Sequence, residues 1–146
     1  MAANPSLKPC YLLTLPQSLL PGLNETLDKA LANKYSYGRI KKKVCHDIGW
    51  EVKAQLPGIY LRARSSLIIH WYVPDRRKDP DNVYAAGKYI LDGFRDGGLV
   101  QNDGHKWFAD TLNQISVDPA YPRAEVLILV GRRLLVDFDS FPICNP

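Results

Sequence analysis

Apolar residues first gather at "CYLLTLP", residues 10–16, where Pro16 ends the run; the pattern predicts a short strand. A Pro21-Gly22 turn follows, and the next stretch, up to residue 34, has the composition of a short helix. Ile40, Val44, Ile48, Val52 and Leu56 then recur every four residues. That period lines one face of an amphipathic helix, which Pro57-Gly58 closes. Arg39, Lys41, Lys42, Lys43 and Lys53 fall on the opposite face. "SSLIIHWYVP", residues 65–74, is rich in β-branched and aromatic residues and ends at proline, so it reads as a strand.

Beyond it, Asp79 suits a helix N-cap and Pro80 the first helical position. Val83, Gly87, Ile90, Leu91 and Phe94 give one continuous helix an apolar face, and Gly97-Gly98 end it. "LVQNDGHKWF", residues 99–108, reads as a turn region around Asn102, Asp103 and Gly104, and "RAEVLILV", 123–130, has the composition of a strand. The expected fold is a small α/β (α+β) domain in which the Ile40 and Val83 helices pack on a short mixed sheet. Residues 1–130 form that domain, and 131–146 are an appended tail whose role the residues do not reveal.

Composition narrows the classes. The 146 residues suit one domain, and 46% hydrophobic with 23% charged residues is ordinary for a globular protein. There is no run of eighteen apolar residues, and the N-terminus lacks a basic stretch followed by an apolar core, so neither a membrane span nor a signal peptide is expected. Cys10, Cys45 and Cys144 lie far apart without metal spacing, which favours reduced thiols and a cytoplasmic location. The phosphate-cradling, serine-hydrolase and zinc motifs are missing too.

Charge changes the picture more. Residues 1–78 carry 13 Lys and Arg against 5 Asp and Glu; residues 79–146 carry 6 against 10. A basic half that can grip a polyanion therefore meets an acidic half at Asp79.

The junction itself reads "PDRRKDPDNVY". Two carboxylates, Asp79 and Asp81, stand at a helix start, and a third, Asp103, lies in a turn about one helix length later. Mg²⁺ takes oxygen ligands and is held by few protein carboxylates, so the trio suits a hard cation. Lys88 lies seven residues after Asp81, two turns on and on the same face of a continuous helix. A fixed ammonium there stabilises charge building on a phosphoryl group. The blander alternatives are that Asp79 caps the helix, Asp81 is a first-turn acid, and Lys88 pairs with Asp92 at the surface. His46, His70 and His105 are scattered, and Trp50, Trp71 and Trp107 suit core or interface positions.

"DRRKDPDN", Lys88, "ILDGF", Gly98 and "QNDGHK", in that order, resemble the RusA family of Holliday junction resolvases, especially its phage-type members. "LPGLNE", "NKY" and "RIKKKV" extend the resemblance, which covers residues 11–130. The lysine departs from the better-known bacterial form by an insertion of about one helical turn: its usual place is Ala85 here. The resemblance implies that Asp79, Asp81 and Asp103 bind Mg²⁺ (or Mn²⁺), with Lys88 the catalytic lysine. It further implies an intertwined homodimer with two sites, nicking opposed strands of a four-way DNA junction. Arg76, Arg77 and Lys78 would then hold phosphates beside the metal, with Lys41, Lys42 and Lys43 as a second DNA contact. Two alternatives stand beside this one: a non-catalytic DNA-binding module, and a metal-dependent nuclease acting on other branched or duplex DNA.

Overall fold

The computed structural model describes residues 8–134. Strand β1 (Cys10–Pro16) leads through a single 3₁₀ turn into α1 (Leu23–Ala32) and the long α2 (Lys34–Gln55). Then come β2 (Ser65–Val73), α3 (Pro80–Tyr84), α4 (Gly87–Asp96), β3 (Phe108–Val117) and β4 (Arg123–Val130). The sheet order is β1-β4-β2-β3; β4 is antiparallel to both β1 and β2, and β2 is parallel to β3. This is the mixed α/β architecture that the hydrophobic pattern predicts.

Alternation along the strands decides which face is covered. Leu13 and Leu15, Leu67, Ile69 and Trp71, and Ala124, Val126 and Ile128 point to one face and are buried. Against them pack Ile48 and Val52 of α2 and Ile90 and Phe94 of α4. The periods of two and four read from the chain thus meet in one core. On the other face, register aligns Leu12, Leu127, Ile68 and Leu112 in a row across all four strands. Leu12 is 56% exposed there and Leu112 45%.

Three differences from the sequence expectation have physical reasons. Strand β3 is absent from the sequence expectation because half of its ten residues are polar: Asp110, Thr111, Asn113, Gln114 and Ser116. An edge strand with one flank in water needs few apolar residues. The α2 helix starts at Lys34, six residues before its first apolar marker, because Asn33 caps it by accepting from Tyr35 N. The single helix expected after Asp79 is two: the chain turns at Ala85-Ala86 and restarts at Gly87.

The closeness of α2 and α4 rests on glycine. A Cβ on Gly93 would press on Ile48 Cβ at 2.6 Å, and one on Gly97 would meet Val52 Cβ at 2.8 Å and Gly49 O at 2.9 Å. These contacts let the two helices approach backbone to side chain.

Candidate functional site

The unit β2–α3–α4–β3 is a parallel crossover, and its geometry governs the expected site residues. Asp79 and Asp81 emerge just beyond the C-terminal end of β2. Asp103 lies in the loop that returns to the start of β3, which pairs with the beginning of β2. The two groups therefore stand at opposite ends of α3 and α4, whose seventeen residues span at most about 25 Å at the helical rise. Among the described residues, no set of three or more His, Cys, Asp or Glu is arranged to hold a metal ion. Asp79, Asp81 and Asp103 of one chain do not form a ready cation site.

At the first end, Asp79 occupies the N-cap position with extended backbone, but its side chain makes no cap bond; Pro80 is at the first helical position, as expected. Asp81 is exposed in the first turn. Neither carboxylate enters an ion pair among the described residues. The blander reading of Asp79 as a capping side chain is not what the geometry gives. Behind them, Asn82 is buried with its side-chain oxygen unpartnered, seated against Gly22 at the head of α1.

The basic run is not uniform. Asp75 accepts from Arg77 N at 2.8 Å, which turns the loop, while the Arg77 side chain is 90% exposed. Arg76 lines a cleft of about 380 Å³ with Asp79, Pro80, Ile115 and Val117. Lys78 instead reaches back to α1, where its ammonium donates to Glu25 Oε1 at 2.7 Å. That bond holds the Glu25 carboxyl below its ordinary value. On α2, Lys41 lies 3.3 Å from Asp92 Oδ2 and Lys43 bonds Asp47, one turn on. Lys42 is exposed and has no acidic partner among the described residues.

At the second end the structure assembles a cluster that sequence reasoning did not foresee. Asp92 on α4 is only 2% exposed. Lys41 approaches it from α2, and Arg95 Nη2 from the next turn at 3.9 Å. Asp103 comes from the loop to the same place, with its Oδ1 3.9 Å from Arg95 Nη1. The Asp92 carboxyl group beside it, with Arg95 and Lys88 nearby, holds the Asp103 carboxyl below its ordinary value. Asp92 raises the Lys41 ammonium above its ordinary value. Burial first, and then the field of Asp92, push the Cys45 thiol to about 11.

Lys88 is exposed, and the surface pair with Asp92 does not form: Asp92 points inward to Lys41 and Arg95. The structure thus brings Lys88 and Asp103 into one electrostatic neighbourhood, and leaves Asp79 and Asp81 together at the other end. Lys41 and Asp92, fifty-one residues apart, carry no local signal that could have revealed their pairing. In comparison with known proteins, the chain matches no protein-family model and no curated protein.

Proposed function

We propose that this protein is an endodeoxyribonuclease of the RusA type, acting as a homodimer on four-way DNA junctions with Mg²⁺ or Mn²⁺. One observation carries the reading. Asp79 sits where a helix-capping acid belongs, yet its carboxylate caps nothing, and with Asp81 it is presented beside an arginine-rich loop. Two carboxylates left without partners next to exposed Arg76 and Arg77 suit a phosphodiester held between cations. Those arginines would bind backbone phosphates and hold the strand across the start of α3. Lys88 and Asp103 would act together, the ammonium stabilising negative charge on the phosphoryl group.

The cation this activity requires would activate water and polarise the phosphate. The three expected ligands do not meet within one chain, so a second copy is the natural source of the missing carboxylate. The apolar row Leu12, Leu127, Ile68 and Leu112 is a surface of the kind that such a copy buries. Two-fold symmetry also matches a junction that must be nicked in opposed strands.

The separation of the aspartates favours one second reading, a DNA-binding module without catalysis. Asp81→Asn distinguishes the two. In the nuclease it abolishes junction nicking while gel-shift affinity, which rests on Arg and Lys, stays within about twofold. Nicking by D81N at the original rate removes Asp81 from the chemistry; the absence of nicking by the unaltered protein leaves the binding module.

A further inference from the structure

A second sizeable cleft lies away from the aspartates. It encloses about 520 Å³ between the 17–21 turn, α1 and α2, a volume in the range of small-molecule sites. Its floor is apolar, from Leu20, Ile40 and Val44, and Tyr37 is half-buried at its side. Hydroxyls supply polar edges: the Tyr89 hydroxyl lies 3.1 Å from Thr26 Oγ1, and Tyr37 lines the same cleft.

The rim is cationic. Lys29 of α1 lines it and enters no ion pair among the described residues. Lys78, the last basic residue before Asp79, also lines it, and its ammonium is occupied by Glu25. A carboxylate on a lysine that otherwise belongs to a phosphate-facing loop holds the place of an anion.

We infer that this cleft is a nucleotide subsite, taking one unstacked base with its phosphate from a branched DNA. The base would lie on the apolar floor beside Tyr37, and the phosphate would bridge Lys29 and Lys78, displacing Glu25. Extruding a base costs least where pairing is already interrupted, as at a branch point. Tyrosine and apolar side chains favour its aromatic face without demanding sequence. The inference rests on the nuclease reading for its choice of ligand, and its test does not use cleavage.

The test is a titration of the ¹⁵N-labelled full chain with deoxycytidine monophosphate, with inorganic phosphate and deoxycytidine as separate arms. The expected result is saturable shifts confined to α1, the 17–21 turn and the Tyr37–Val44 face of α2. The nucleotide binds tighter than either fragment. Lys29→Ala weakens it at least about threefold, and Glu25→Gln tightens it about twofold to fivefold, the range of a lost surface ion pair. Both changes are at exposed positions. A structural role for Glu25 alone predicts that E25Q weakens or leaves binding unchanged, which overturns the inference, as do shifts elsewhere or none. Binding here by a protein that cuts no junction overturns the nuclease reading and leaves the subsite; cleavage without it does the reverse.

Discussion

Asp92 shows how a single residue acquires consequences that its neighbours in sequence do not announce. In "ILDGF" it looks like an exposed helical acid within reach of Lys88. In the fold it is buried, and it ties α2 to the Asp103 loop through Lys41 and through Arg95, which lies 3.9 Å from both Asp92 and Asp103. Asp92→Ala should therefore cost about 1–3 kcal/mol, the range for stranding polar partners, because Lys41 is partly exposed and can rehydrate. A urea midpoint lowered with an unchanged slope measures this; an unchanged midpoint contradicts the tie. Cys45 makes a second prediction. It is buried and its thiol is raised to about 11, so at pH 8 it carries almost no thiolate. Cys10 is exposed. Iodoacetamide should label Cys10 while sparing Cys45 until denaturant is added, as peptide mass analysis would show.

Among the elements, legibility followed periodicity and burial. Strands β1, β2 and β4 were readable because each is clothed in apolar residues on at least the core face, and α2 because its apolar residues recur by fours. Strand β3 was hidden by its polar edge, and the break at Ala85-Ala86 by two alanines that suit a continuous helix just as well. That break matters to the site, because the same-face argument linking Asp81 to Lys88 assumed one unbroken helix. The acids at the start of α3 were legible from local chemistry. Their distance from Asp103 was not, since it depends on the direction of a strand that the pattern concealed. The α2–α4 contact gives a prediction at this scale. Gly93→Ala pushes a methyl group into Ile48, so it should destabilise by about 1–3 kcal/mol despite alanine's better helix propensity. A stabilised G93A variant in thermal unfolding would contradict the close approach.

For the whole molecule, the charge asymmetry read from the sequence is partly cancelled on folding: Lys41, Lys43 and Lys78 each gain an acidic partner. Arg76 and Lys42 are exposed and enter no ion pair among the described residues, and Arg77, though 3.6 Å from Asp75, is 90% exposed. Of the basic residues read as DNA contacts, these three are where salt-dependent binding should concentrate. Stability should follow the carboxylates. Glu25 and Asp103 are held below ordinary values of 4.5 and 3.8, by Lys78 and by Asp92 respectively. Their contribution is present above those values and is lost as pH falls through the lowered ones. Urea midpoints should be level near neutrality and fall on acidification below about pH 4.5, where free carboxylates begin to protonate. A midpoint that rises there contradicts the pairing.

Hydrolysis of branched DNA is measured most directly as strand cleavage. A synthetic four-way junction and a linear duplex of the same sequence are incubated with the purified protein, with Mg²⁺ and with EDTA, and the strands are resolved on a denaturing gel. Paired nicks in opposed strands of the junction, dependent on Mg²⁺ and absent from the duplex, are the predicted result. Intact junction strands in the presence of Mg²⁺, with the protein still bound to them, would contradict it.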